Sequence, residues 1–167
     1  MRRRALATLL GLAGAACGAP PVPERNETPA VTCKAGPPLP SPITNNAVAA
    51  ISVGEGVAVF SFLGLDSTKV WSGVTNAAYR WDVGSPEGWR VVQPVPGPGR
   101  LASTAQVVRG WIYVFGGYTV APDGKEHSVP DVNVYDPVAG TWSRGADIPF
   151  PVDDAVSGVW RDSLVVL

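Results

Sequence analysis

The sequence predicts an all-β chain in which a four-stranded sheet recurs along its length. Three observations point there. Gly (19 residues) and Pro (17) are both frequent while charged residues make up only 16%, so turn formers punctuate short apolar runs. After residue 20, no long stretch carries apolar residues at helical spacing. The stretch WIYVFGGY at 111–118, followed by VYDPVAGTW at 134–142, has weaker echoes roughly fifty residues to either side. The 13 Lys and Arg against 14 Asp and Glu leave a formal net charge of -1, with no electrostatic footprint for nucleic acid.

Residues 1–17 read as a secretory signal. Three arginines precede an apolar core from Ala5 to about Ala16, too short to span a bilayer, and small residues follow. Export is expected, either to a bacterial periplasm or outer membrane as a lipoprotein, or as a secreted protein. GAAC ending at Cys17 resembles a lipobox, which makes Cys17 the lipidation candidate and an N-terminal lipid the sole membrane attachment. Gly14 stands where that motif usually has Leu. In the alternative, an ordinary small-x-small cut leaves Cys17 to pair with Cys33, a closure contributing ~3 kcal/mol in the chain-entropy view.

Residues 18–44 form a Pro-rich tether. Eight prolines fall between Gly18 and Pro42, so no periodicity survives and a semi-extended spacer is expected.

Residues 45–167 hold the repeats, with a first unit over about 45–93, a second over about 100–146 and a third starting near 155. Gly110 of TAQVVRGWIYVFGGY aligns with Gly56 upstream and Asp162 downstream; Trp81-Asp82 aligns with Tyr135-Asp136, and Trp89 with Trp142. In the middle unit the expected strands are Ser103–Val108, Trp111–Phe115, Asp131–Tyr135 and Thr141–Arg144. Arg109-Gly110 is a two-residue hairpin turn, and Pro137 and Gly140 close a second turn.

Four strands roughly every fifty residues is the kelch period, and such sheets set radially make a β-propeller. The chain resembles a kelch-repeat β-propeller of the galactose-oxidase-like type, carried by YVFGGY, the Tyr135 to Trp142 spacing and VYDPVAGTW. The resemblance implies that Gly116-Gly117 lets neighbouring backbones approach, and that Tyr135 and Trp142 pack between blades. The first unit has Phe62-Leu63 where the middle one has Gly-Gly, and Trp81 in place of Tyr135. About two and a half blades are present, and a ring needs at least ~4. The expectation is an N-terminal fragment of a longer reading frame, with the ring incomplete in this chain.

In an up-and-down blade, the 2→3 loops and the 4→1 connections emerge on one face, where function is expected. Those segments are Leu63–Thr75, Pro94–Arg100, Thr119–Pro130 and Pro149–Ala155. They supply the candidate ligand-binding residues Asp66, Lys69, Trp71, Arg100, His127, Asp153 and Asp154. Arg100 follows a Gly/Pro-rich turn, where a guanidinium either takes a carboxylate ligand or pairs with Asp153 or Asp154 at the surface. His127 is the single histidine, and its polar loop suits a solvated residue better than a general base. Asp153-Asp154 is either a divalent-ion site or a solvated acidic pair. One His and two Cys cannot furnish a copper centre within these residues, and no phosphate loop or nucleophile elbow is present, so no cofactor, metal or catalytic residue is assigned.

PGPGR, then Gly110, YVFGG, DVNVYDP and Trp142 together are also similar to the bacterial N-acetylneuraminate epimerases, exported six-bladed kelch propellers. That likeness implies an acidic sugar as ligand, with Arg100 meeting its carboxylate. Three functions therefore stand open: a carbohydrate- or protein-binding module, a sialate-type sugar mutarotase, or a truncated product without function. A glycan, an acidic sugar or a protein are the partners in view.

Overall fold

The computed structural model describes residues 32–166. The compact unit is Ala35–Leu167. The signal and lipidation expectations, Cys17 included, fall outside the described residues; Cys33 lies within them and is exposed.

Twelve strands form the unit: β1 (Ala47–Val53), β2 (Gly56–Leu65), β3 (Val74–Asp82), β4 (Trp89–Val92), β5 (Thr104–Val108), β6 (Trp111–Phe115), β7 (Tyr118–Val120), β8 (Glu126–Ser128), β9 (Val132–Asp136), β10 (Thr141–Arg144), β11 (Ser157–Trp160) and β12 (Ser163–Val166). The first sheet runs β1-β2-β3-β4 and the second β5-β6-β9-β10, every pairing antiparallel. β11 and β12 form a two-stranded third sheet, and β7 and β8 a hairpin inside the β6–β9 connection. The first strands β1, β5 and β11 lie side by side, which sets the sheets around a common inner edge. This is the radial arrangement of propeller blades.

The middle blade matches its sequence expectation to within one residue at each strand end. Arg109 and Gly110 both take positive φ, 49° and 83°, as a type I′ hairpin turn requires. The β7–β8 hairpin is an addition to that expectation; its strands, half-buried in β7 and exposed in β8, are only three residues long and leave no periodic signal.

The blades meet through aromatic rings. Phe60 and Phe62 of β2 stack 5.8 Å apart, and Tyr135 of β9 meets them edge-on at 5.5 and 6.0 Å. Trp142 of β10 reaches Phe62 at 5.4 Å and donates its indole N–H to the Gln93 carbonyl at 2.9 Å. Each such ring contributes about 1.5–3 kcal/mol by burial, with further gain from edge-to-face geometry.

The glycine reading needs one correction. Gly116 and Gly117 have φ 62° and 85°, and their counterparts are Leu63 and Gly64, at 63° and 115°. Gly64 N–H donates to Arg100 O as Gly117 N–H does to Val152 O. A bulge between Phe62 and Gly64 shifts the register, so Phe62-Leu63 is not the equivalent pair.

Candidate site on the loop face

Backbone hydrogen bonds stitch the 2→3 loops to the 4→1 connections. Gly64 N–H donates to Arg100 O at 3.0 Å, Gly117 N–H to Val152 O at 2.8 Å, and Leu101 and Tyr118 exchange backbone bonds at 2.9 Å. Gly99 permits the crossing: a Cβ there would sit 2.7 Å from the Val74 carbonyl oxygen. The two sets of segments therefore share one face.

That face carries two adjoining clefts. One, of 220 Å³, is lined by Asn45, Lys69, Trp71, Tyr118 and Glu126 with apolar Leu65, Val70, Val74, Leu101 and Val120. The other, of 270 Å³, lies at the start of the inner strands among Asn45, Asn46, Ser103, Thr104 and Asp154. Tyr118 belongs to the first cleft and feels the charges of both. Burial raises its pKa above the usual phenol value, the carboxylates of Glu126, Asp154 and Asp153 raise it further, and a hydrogen bond with Asn45 acts the other way. The phenol therefore stays a hydrogen-bond donor at neutral pH.

The residues singled out from sequence separate into those that face the clefts and those that hold the loops. Lys69 and Trp71 line the first cleft, and Trp71 is 49% exposed at the start of a short 3-10 turn. Asp154 lines the second, while Asp153 accepts a hydrogen bond from Ser128 Oγ and so ties the 4→1 connection to β8. Asp66 is a turn residue: its Oδ1 accepts from the Thr68 N–H at 2.9 Å and from the Thr68 hydroxyl. His127 is exposed on β8, opposite Thr119 in the hairpin ladder.

Arg100 departs from both of its sequence readings. It is only 3% exposed, and its guanidinium donates to Asn133 Oδ1 at 2.7 Å and Asp131 O at 3.4 Å. Neither a surface pair with Asp153 or Asp154 nor a solvent-facing carboxylate clamp results, because β9 offers the nearer acceptors. Burial lowers the Arg100 pKa, the carboxylate of Asp131 offsets this, and the charge of Arg144 adds to the lowering. Among the described residues no three His, Cys, Asp or Glu side chains gather, and Asp153 and Asp154 stand as an acidic pair.

Asn45, Asn46, Ser103, Thr104, Tyr118 and Glu126 are cleft residues outside the sequence candidates, and Asn45 and Tyr118 join the two clefts. Asn45 stands at positive φ (54°) just before β1, and its asparagine identity was the available signal. Tyr118 closes the FGGY run, so its local pattern is that of the blade motif and carries no separate signal of a site.

The kelch motif matches residues 99–149, the segment that contains the whole second blade. Residues 99–149 are a kelch-type blade, and the fold of the chain is that of propeller blades. A solved structure of YjhT superposes with a TM-score of 0.60 at 23% identity, covering 78% of this chain and 35% of that one, which shows a shared fold. The N-acetylneuraminate epimerase of Pasteurella multocida (strain Pm70) is 31% identical over 70 residues, 42% of this chain and 18% of the relative. The kelch blades here thus span about a third of the solved neighbour and under a fifth of the curated relative.

Proposed function

We propose that the loop face binds a glycan, as part of an exported kelch module. The observation that carries this reading is the cleft where the exposed Trp71 ring, Tyr118, Asn45 and Lys69 converge. Flat aromatic rings suit the apolar faces of a sugar, while the phenol, amide and ammonium supply directional hydrogen bonds. A protein partner generally needs ~800 Å² of surface on each side, and a cleft of 220 Å³ is better matched to one or two sugar rings. Glu126, Asp153 and Asp154 all act on Tyr118, so the local field favours a neutral glycan over an anionic one. Titration calorimetry of the chain against neutral and sialylated oligosaccharides tests this. Neutral glycans are expected to bind, with affinity falling about tenfold or more in Trp71→Ala and unchanged in His127→Ala. Equal affinity in Trp71→Ala would sink the reading.

A second reading, a sugar mutarotase, is favoured by the relative's name and by Tyr118 standing among carboxylates, a suitable arrangement for proton transfer. NMR exchange between the N-acetylneuraminate anomers decides it: acceleration that is lost in Tyr118→Phe supports mutarotation, and no acceleration removes it. A chain that neither folds nor binds returns the truncated, functionless product. Export through residues 1–17 and a lipid on Cys17 belong to the same proposal. Labelled palmitate should enter the wild-type protein and not Cys17→Ala; label in both overturns the anchor.

A further inference from the structure

The Trp81–Trp89 pair lies on the first blade at the positions equivalent to Tyr135 and Trp142 on the second. On the second blade, Trp142 donates its indole N–H to the Gln93 carbonyl of the preceding blade. On the first blade, Trp89 makes the corresponding bond to the chain's own tether, donating to Pro37 O at 2.9 Å. Gly36 lies against the Trp81 ring, where an added Cβ would meet two ring carbons at 3.2 and 3.3 Å, and Pro37 packs beside Gly88. The two indoles stand 6.0 Å apart, tilted by 44°, and the tether runs against both, with Gly36 at Trp81 and the Pro37 carbonyl at Trp89.

The segment against that pair reads Ala-Gly-Pro-Pro-Leu-Pro over 35–40. Proline fixes φ, and Gly36, Pro37 and Leu39 each precede a proline, which keeps them extended. Pro37 and Leu39 are half-buried while Pro38 and Pro40 face solvent, so from Pro37 onward alternate residues meet the protein. An extended strand with few conformations to lose, a carbonyl on an indole N–H and a ring on an aromatic face are the elements of polyproline recognition. The seating is incomplete: the Trp81 indole N–H is buried without a hydrogen-bond partner. A differently seated proline segment would supply the missing carbonyl. The same Pro-Pro-aliphatic-Pro order occurs a second time in the sequence, at Pro20–Pro23.

We infer that Trp81 and Trp89 form a recognition groove for proline-rich extended segments of the Pro-Pro-aliphatic-Pro kind, occupied in cis by Pro37–Pro40 and open to exchange with such a segment in trans. Occupancy in cis lowers the apparent affinity for any competitor by the fraction of chains with the groove free.

The test uses the whole chain with Gly36→Val, whose branched side chain displaces the segment from Trp81. The probe is the synthetic hexapeptide Gly-Ala-Pro-Pro-Val-Pro, read by the indole N–H NMR signals of Trp81 and Trp89. The Trp142 signal, on the other side of the blade, reports that the fold is intact. The Trp89 signal is expected to move to a solvent-like position in the variant and return on titration. Saturation should come about tenfold earlier than in the wild type, and Gly-Ala-Ala-Ala-Val-Ala should have no effect. Should Gly36→Val unfold the protein, Pro37→Ala weakens the cis contact more gently and the same titration applies. A displaced segment with no peptide response, or an equal response to the alanine peptide, overturns the inference.

Discussion

Gly117 and Gly110 share nearly the same positive φ, 85° and 83°, but their surroundings differ completely. A Cβ on Gly117 would lie 2.2 Å from Ser103 Oγ and 2.5 Å from Leu101 O, whereas at Gly110 it would meet nothing within 4 Å. Gly110→Ala should therefore cost only the conformational strain, about 1 kcal/mol, and Gly117→Ala should cost more than that, roughly 3 kcal/mol, because backbone has to move. Chemical denaturation of the two variants checks the ranking. Arg100 offers a parallel case. Arg100→Leu strands Asn133 Oδ1 in the interior and should lower stability by roughly 1–3 kcal/mol, while glycan affinity on the loop face stays the same. A large affinity loss with stability intact would return Arg100 to ligand binding. The glycine pair was legible in the sequence because only close backbone approach explains two adjacent glycines at a strand end. Arg100 was not, since the competing acceptor comes from β9, a strand more than thirty residues downstream in chain order, and spacing alone cannot weigh two acceptors.

The strands themselves were read from local chemistry, and the elements that failed are those whose shape depends on another element. β9 and β10 announce themselves by alternation and by the Asp136–Gly140 turn, in which Asp136 Oδ1 accepts from the Val138 and Ala139 N–H groups at 2.8 and 2.9 Å. The β2 bulge and the β7–β8 hairpin carry no such signal. The bulge is fixed by the chain before β1, where Thr44 and Leu65 exchange backbone bonds. The interface between β2 and β9 also has a pH signature. Tyr135 is 2% exposed, and burial raises its pKa above the usual phenol value, with Arg80 and Arg90 opposing. The folded protein then holds the phenolic proton more tightly than the unfolded chain does, so stability is constant below the ordinary phenol pKa and falls as pH rises past it. Tyr135→Phe removes that ionisation and should flatten the alkaline decline. Tyr118, raised in the same direction, leaves part of the slope in place. Denaturation midpoints between neutral pH and pH 11 give the comparison, and an unchanged slope in Tyr135→Phe would mean that the ring is not held neutral by burial.

At the scale of the molecule, the two faces of the blades are unequally covered. The β2 face of the first blade is sealed by Tyr135 and Trp142. The corresponding face of the second blade, with Tyr113 and Val132, is met by Leu164 and Val166 of β12, which line with it an apolar cleft of 580 Å³. Ile148, Pro149 and Phe150 rim that cleft, and Phe150 is 76% exposed. Among the described residues no ring fills the place that Tyr135 and Trp142 take on the first blade. Among the described residues β12 pairs only with β11, which leaves its other edge open beside the cleft. An apolar surface next to an unpaired edge is a template for association between chains. The 167-residue chain on its own is therefore expected to self-associate with rising concentration in sedimentation velocity. Phe150→Lys together with Val165→Lys places like charges on the rim and the edge, and should shift the chain to monomer while changing stability by less than about 1 kcal/mol, since both side chains face solvent. A wild-type chain that stays monomeric at high concentration would mean the cleft closes on itself. The aromatic seal between the first two blades would then not be the general rule for this ring.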